Sequence, residues 1–255
     1  MTFALSALGL IALFYAVFIV PTQWVKIERV SYPIGLNKRV LQISDLHVEK
    51  LRISPGRLKR IILEVKPDYI FLTGDYTMRL GYLGKVASYL RVVKDTGIPA
   101  YAVLGNHDYR LKGHLSKLLH LFSENGIRVL RNESADLGDF RLIGIDDDSS
   151  RKSNPAKAFR RVRPDETAVV ITHDPNVTLK IKRGYNYLMC GHFHGGQFRV
   201  PFIFRFVKKG PLPKRGIYQG LHRDEHGVFY ISKGAGQAGF NARFMIRSEL
   251  TVHEL

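Results

Sequence analysis

The sequence predicts an α/β fold, because short apolar runs that suit buried strands alternate with segments whose apolar residues recur at helical spacing. The run VLQIS (40–44) comes first; Ser54-Pro55 then opens a segment in which Leu58, Ile61, Ile62 and Val65 follow i, i+3, i+4, i+7 spacing, and Pro67 closes it. YIFLT (69–73) precedes a second helical pattern, Val86, Tyr89, Leu90 and Val93, which stops before Gly97. AYAVL (100–104) precedes a third, Leu115, Leu118, Leu119 and Phe122, which stops before Asn125-Gly126. FRLIGI (140–145), AVVIT (168–172), NYLMC (186–190) and VFYIS (228–232) are strand-like with fewer helical patterns between them. The second half is therefore expected to form a second sheet, partly antiparallel.

Length and composition fit one globular domain plus an accessory segment: 255 residues, 45% hydrophobic, no low-complexity tract and no internal repeat. The single cysteine, Cys190, excludes an intrachain disulfide framework and reads as a small buried apolar residue. Residues 1–20, MTFALSALGLIALFYAVFIV, carry no charge and as a helix would extend about 30 Å, the thickness of the hydrocarbon layer. No Lys or Arg precedes this run and no small-x-small site follows it, which favours a retained anchor (residues 1–25) over a cleaved signal peptide. Lys26, Arg29, Lys38 and Arg39 outweigh Glu28 just downstream, so the positive-inside bias puts residues 26–255 on the cytoplasmic side of a membrane.

The formal net charge of +17 belongs entirely to the region after the apolar run. Within the basic aromatic segment 198–215, the stretch RVPFIFRFVKKGPLPKR has six Lys or Arg, three Phe and no acid. It fits a solvated surface loop with its rings on the core, or a segment lying on an anionic bilayer, where each nearby cation contributes about 1 kcal/mol of attraction. Basic charge alone also suits nucleic acid.

The strand ends carry the chemistry. VLQIS runs into Asp45-Leu46-His47, YIFLT into Gly74-Asp75, AYAVL into Gly105-Asn106-His107-Asp108, AVVIT into His173-Asp174, and NYLMC into Gly191-His192-Phe193-His194. Each has its own structural explanation as a turn cap or surface residue. Five polar strand ends in one sheet-forming chain are better explained by one shared site, since binding sites assemble at the carboxyl ends of strands in open α/β sheets. Carboxylates, imidazoles and a carboxamide, without a thiolate cluster, are donors for divalent Mn, Fe, Zn, Co or Mg. Enough are present for two ions, and a carboxylate-bridged pair is suited to hydrolysis of a phosphate ester.

The ordered series D-x-H, G-D, G-N-H-D, H, G-H-x-H over residues 38 to 235 resembles the calcineurin-like metallophosphoesterase family. The resemblance implies a four-layer α/β sandwich, two facing mixed sheets flanked by helices, with a dinuclear centre at the strand ends. It implies that Asp45, His47 and His194 ligate one ion, that Asn106, His173 and His192 ligate the other, and that Asp75 bridges them. His107 would contact the phosphate and assist the leaving oxygen, with Asp108 orienting its ring. The ions implied are two of Mn, Fe or Zn, with Mn favoured. The apolar N-terminus, the T-H-D-P loop and G-H-x-H-G-G-Q together look like a bacterial membrane-associated branch of the family, placing the chain at the inner membrane. That branch includes general phosphoesterases and an enzyme of lipid A biosynthesis that cleaves UDP-2,3-diacylglucosamine. The alternatives are a broad-specificity phosphoesterase and a non-catalytic membrane-attached binding protein; a nuclease has little room here for a clamping domain.

Other polar residues are expected to be ordinary. Asp146-Asp147-Asp148 reads as a solvated loop, and His114, His120, His222, His226 and His253 lack motif partners. The Lys233-Gly-Ala-Gly-Gln-Ala-Gly stretch reads as a contact for an anionic substrate near the site or as a glycine-rich turn after a strand, which needs no ligand to explain it.

Overall fold

The computed structural model describes residues 2–200 and 209–255; residues 201–208, the middle of the basic aromatic segment 198–215, lie outside them. Among the described residues, two sheets of six strands form. In the first, β2 (Arg39–Ile43), β3 (Tyr69–Thr73), β4 (Ala100–Val103) and β5 (Arg128–Val129) run parallel. β12 (Glu249–Glu254) adds antiparallel to β2, and β1 (Lys26–Ser31) pairs with β12 at the edge. In the second, β7 (Arg141–Gly144), β8 (Ala168–Ile171), β9 (Tyr187–Cys190) and β11 (Val228–Ile231) run parallel, flanked by antiparallel β6 (Glu133–Asp136) and β10 (Gly220–Arg223).

Alternation along the strands builds the layers. Leu41, Ile43, Ile70 and Leu72 face helices α3 (Pro55–Val65), α4 (Leu83–Asp95) and α5 (Leu115–Glu124), where Leu58, Ile62, Val86, Leu90, Leu118 and Phe122 are buried. Their sequence neighbours Val40 and Phe71 point the other way, joining Leu142, Val169, Ile171, Tyr187, Met189 and Tyr230 between the sheets. The far face of the second sheet, through Ile143, Val170, Leu188 and Cys190, packs on Phe159, Val162, Val177, Ile181 and Leu212. This is the expected four-layer arrangement, with the fourth layer built from loops and short turns, α6 (Pro155–Ala158), the 3-10 turn Pro175–Lys180 and α7 (Pro211–Lys214), in place of long helices.

Local signals set the element ends. The Ser54 side chain accepts from the Arg57 N–H and Pro55 takes the first turn of α3, where no backbone donor is needed. The buried Cys190 thiol donates to Tyr230 O at 3.2 Å, and burial pushes its pKa well above the ordinary value, so it is core.

The apolar N-terminus is helical: α1 (Thr2–Phe14), a π turn (Tyr15–Ile19) and α2 (Val20–Gln23). Within it, Ala4–Gln23 is long and apolar enough to cross a membrane. The π turn widens the coil just before Pro21, whose ring and missing N–H are poorly tolerated in a regular helix. The end of the helix is docked on the domain. Arg57 Nη1 donates to Gln23 O at 2.5 Å, Arg247 Nε to Trp24 O at 2.9 Å, Arg52 Nη1 to Thr22 Oγ1 at 2.9 Å, and the Ser248 N–H to Pro21 O at 3.0 Å. Three guanidinium groups thus meet the negative end of the helix dipole, two of them taking free carbonyls and the third the Thr22 hydroxyl.

Candidate metal centre

The loops leaving β2, β3, β4, β8 and β9 converge at the carboxyl ends of both sheets, and they bring the candidate ligands together. Asp45, His47 and His194 offer ligand atoms within 4.8 Å of one another; so do Asp75, His173 and His192, and so do His47, Asp75 and His107. His194 Nε2 lies 3.2 Å from Asp45 Oδ1 and 3.2 Å from His47 Nε2. His192 Nδ1 lies 3.2 Å from His173 Nε2. Asp75 stands between the groups, its Oδ2 being 3.3 Å from His47 Nε2 and 3.2 Å from His173 Nε2.

The backbone is bent to achieve this. Asp45, His47, Asp75, His192 and His194 all have positive φ, between 40° and 72°, a region costing a non-glycine residue roughly 1–3 kcal/mol where it is strained. Cross-loop bonds hold these turns: Asp45 N–H to Gly74 O at 3.0 Å, His47 N–H to Asp75 O at 2.9 Å, and His192 N–H to the Asp45 carboxylate at 3.2 Å. Glycines permit the approach. A Cβ on Gly191 would overlap Ser44 Oγ and the Asp45 carboxylate, and one on Gly105 would overlap the Asp75 carboxylate. The glycine-rich turn after β11 has the same reason: a Cβ on Gly234 would come within 2.8 Å of Asp45 Cβ, and one on Gly236 would overlap Leu46 O.

The donors fit divalent cations. Asp45, Asp75 and the four imidazoles are all buried, and two carboxylates at such depth require compensating positive charge. With metal–nitrogen bonds of about 2.0–2.1 Å, neighbouring ligands on one ion sit about 3.0–3.4 Å apart, the spacing both histidine pairs adopt. His173 Nδ1 lies 2.8 Å from Thr73 O; donation there leaves the Nε2 lone pair facing the site, as a metal-binding imidazole needs. Asn106 Oδ1 is buried without a hydrogen-bond partner, a free acceptor of the kind a cation satisfies. Burial disfavours charge on Asp75, yet the His173 and His47 imidazoles hold its carboxyl well below the usual range. Burial lowers the pKa of both His192 and His194, which favours the neutral imidazole with one unprotonated ring nitrogen.

His107 is partly buried beside the cluster, its ring edge-on to His47 with centroids 4.6 Å apart. Burial pushes its imidazole down to about 4, and its buried Nδ1 has no partner. Asp108 does not orient that ring. Its Oδ2 accepts from Asp75 N–H at 3.0 Å and Gly105 N–H at 2.8 Å, and its Oδ1 from Tyr76 N–H at 2.8 Å and Thr77 N–H at 3.2 Å. A carboxylate is the side chain that can collect four amides, and here it ties the β3 loop to the β4 loop. Burial and the nearby Asp75 charge push the Asp108 pKa up, and the Gly105, Tyr76 and Thr77 amides oppose them by stabilising the carboxylate.

The acidic run is also not a solvated loop. Asp146 and Asp147 are buried; Asp146 accepts from Tyr109 Oη at 2.6 Å and pairs with Arg131 at 3.1 Å, and Asp147 takes the Ser150 N–H at 2.6 Å. Only Asp148 is near solvent, paired with Lys180 at 2.6 Å. His253 is buried between the sheets, with Nδ1 3.0 Å from Tyr187 Oη and Nε2 3.0 Å from Gln42 Oε1. Gln42 Nε2 donates to Thr73 and to Cys190 O, so its Oε1 is the acceptor and His253 Nε2 carries the proton.

Beside Asn106 and His192 opens a cleft of about 690 Å³, with Arg110, Lys112 and Lys209 among its walls and Asp148, Asp174 and Asn176 opposite them in charge or polarity. Lys209 Nζ donates to His192 O at 2.8 Å, which fixes a cation next to the ligand cluster. Lys209 was visible in the sequence only as part of a basic stretch; Arg110 and Lys112 carried no motif at all.

A buried carboxylate–imidazole cluster at the strand ends of a double α/β sheet, open to a cation-lined cleft, defines a metal-binding hydrolase of phosphoesters. The family described as calcineurin-like phosphoesterase matches residues 38–196, and the chain belongs to it. It is 37% identical over 249 residues to the uncharacterized metallophosphoesterase YkoQ of Bacillus subtilis, covering 92% of each chain. It is 27% identical over 230 residues to the phosphodiesterase YaeI of Escherichia coli, covering 85% of this chain and 82% of that one. A zebrafish (Danio rerio) transmembrane protein with a metallophosphoesterase domain is 27% identical over 252 residues, 89% of this chain and 55% of that protein. The crystal structure of TT1561 from Thermus thermophilus shares the fold, with a TM-score of 0.50 at 9% identity over 78% of this chain and 90% of that one.

Proposed function

We propose that the protein is a membrane-attached phosphohydrolase that holds two divalent ions, Mn by preference, and cleaves a phosphodiester or pyrophosphate on the cytoplasmic face of a bacterial inner membrane. The observation that carries this reading is the position of Asp75, one carboxylate oxygen of which faces a histidine of each ligand group at 3.3 and 3.2 Å. Asp45, His47 and His194 would hold one ion, Asn106, His173 and His192 the other, with Asp75 shared. When bound, such ions supply positive charge that makes nearby water more acidic and offsets the charge of phosphoryl oxygens.

The chain's own groups do the rest. His107, pushed down to about 4 by burial, is neutral near pH 7 and serves as a hydrogen-bond donor to the leaving or phosphoryl oxygen, which is electrostatic assistance in place of full proton transfer. Arg110, Lys112 and Lys209 line the cleft and attract an anionic substrate. The helix Ala4–Gln23 supports membrane attachment. UDP-2,3-diacylglucosamine is the lipid pyrophosphate we favour, and a broad-specificity phosphoesterase is the second reading, favoured by the openness of a cleft that carries both signs of charge. A non-catalytic binding protein has no missing ligand to support it.

Purified full-length chain with Mn, offered UDP-2,3-diacylglucosamine, bis-p-nitrophenyl phosphate and p-nitrophenyl phosphate, separates these. UMP release is expected; turnover of the nitrophenyl esters alone would remove the lipid substrate and leave the phosphoesterase. Turnover of none of the three would contradict the proposal.

A further inference from the structure

Around the root of the N-terminal helix the surface carries large apolar side chains that stay largely exposed. Phe240 is 80% exposed, Met245 69% and Trp24 59%, on a protein whose other large apolar residues are mostly buried. An exposed ring of this kind costs solvation free energy unless a partner removes it from water. These residues are held in place. The Arg247 guanidinium lies 3.8 Å from the centre of the Trp24 ring, the Phe244 ring stacks on Phe18 of the helix at 5.3 Å, and the Arg243 N–H donates to Phe18 O at 3.0 Å. Arg243 is fully buried and donates to the carbonyls of Lys233, Gly234 and Gly236 at 2.7–2.8 Å, so the loop bearing Phe240 and Met245 is braced against the turn that packs on Asp45.

Cations accompany the apolar groups. A groove of about 390 Å³ runs along the helix root, with Val20, Trp24 and Met245 on its apolar side and Lys26, Arg199 and Arg247 on its charged side. The same loop reaches the metal cluster: Gln197, three residues after His194, donates through Nε2 to Phe240 O at 2.7 Å and accepts from the Ala238 N–H at 3.0 Å. A largely apolar cavity of about 470 Å³ connects Phe240 and Phe198 with His194 and Lys209.

We infer that Trp24, Phe240 and Met245, with Lys26, Arg199 and Arg247, form a face that docks into the headgroup layer of an anionic bilayer and holds the metal cleft at that level. The inference rests on the proposed reading of Ala4–Gln23 as a membrane span. Continuity decides the occupant: a span emerging between Phe18 and Trp24 brings the bilayer surface to these residues, aromatic rings partition to that depth, and cations beside them meet lipid phosphates. The helix is accordingly a rigid mount and not a tether.

The chain contains one tryptophan, Trp24, usable as a reporter, and one cysteine, Cys190, whose burial leaves an introduced surface cysteine as the site a dye labels. Full-length protein is reconstituted in vesicles of phosphatidylethanolamine and phosphatidylglycerol carrying spin-labelled headgroups. Trp24 emission and that of an environment-sensitive dye on a Phe240→Cys variant are then compared with the same dye on a Leu63→Cys variant in α3. Quenching and a blue shift at 24 and 240, without either at 63, are expected, and the double variant Lys26→Gln, Arg199→Gln should lessen the quenching at 240 in anionic vesicles. A dye at 240 that stays water-exposed, or that responds as 63 does, while the protein resists alkaline carbonate extraction, overturns the docking face and leaves the membrane reading standing. Extraction by carbonate overturns both.

Discussion

Nε2 of His47 and Nε2 of His194 lie 3.2 Å apart although the residues are separated by 147 positions in the chain. Asp45 Oδ1 is 3.2 Å from the second of them. Donors packed this closely in a buried site favour a shared cation. Substituting His194→Ala should therefore release one of two ions and destabilise the protein toward heat in Mn-containing buffer, because a bound ion stabilises only the folded state. Elemental analysis and thermal melts, with and without a chelator, check both effects.

His107→Ala should keep the metal content and lower turnover by about 10²–10⁴-fold, the usual contribution of a positioned proton-transfer or hydrogen-bonding group. Steady-state kinetics on the metal-loaded variant provide the test. Loss of ions together with activity would make His107 a ligand, which its proximity to His47 and Asp75 also permits.

Asp108→Asn tests a different role in the neighbouring residue. Both Asp108 oxygens accept two backbone amides each, and the variant would turn an NH₂ group on two of those donors. A loss of roughly 2–4 kcal/mol in urea unfolding is expected, with weaker metal retention. Unchanged stability with slowed turnover would instead return Asp108 to orienting the His107 ring.

Gly105→Ala should behave like a ligand mutant though it removes no ligand, because the new methyl group occupies space held by the Asp75 carboxylate. We expect reduced metal content with native-like circular dichroism. Wild-type metal content would show that the β3 and β4 loops can separate without cost.

His253 predicts an acid-side stability slope. Burial lowers its pKa from 6.5 to about 3, so between those values the unfolded chain holds a proton that the folded chain does not. Stability therefore rises with pH through that window and is complete above it, and this one residue should account for about 2 kcal/mol between pH 5 and pH 7. Urea titrations of wild type and His253→Gln in detergent should differ in slope by about that amount; equal slopes would contradict it.

Much of this was legible in the sequence, for identifiable reasons. α3 was readable because Ser54-Pro55 and a four-residue apolar stripe act within one element. The candidate ligands were readable because each follows closely on an apolar run, where chain direction alone puts it at a strand's carboxyl end. β12 was not readable: Glu249 looks like a surface acid, but it is buried and accepts from Tyr230 and Thr251. Asp146 was misread for the same cause, since Tyr109 and Arg131, which bury and satisfy it, are 37 and 15 residues away. Asp108 adjoins His107 in sequence, yet the αR backbone at His107 directs the carboxylate toward loop amides. Residues such as Arg110 and Lys209, which act through the cleft, become identifiable only once the loops are assembled.

The most direct measurement is the divalent metal content of the purified full-length chain and of its Asp75→Asn variant after loading with Mn and removal of free ions. Two ions per chain are expected in the wild type, falling to one or none in the variant with loss of phosphoester hydrolysis. A wild type that binds no ion, or a variant that retains both and still turns over, would contradict a carboxylate shared between two cations.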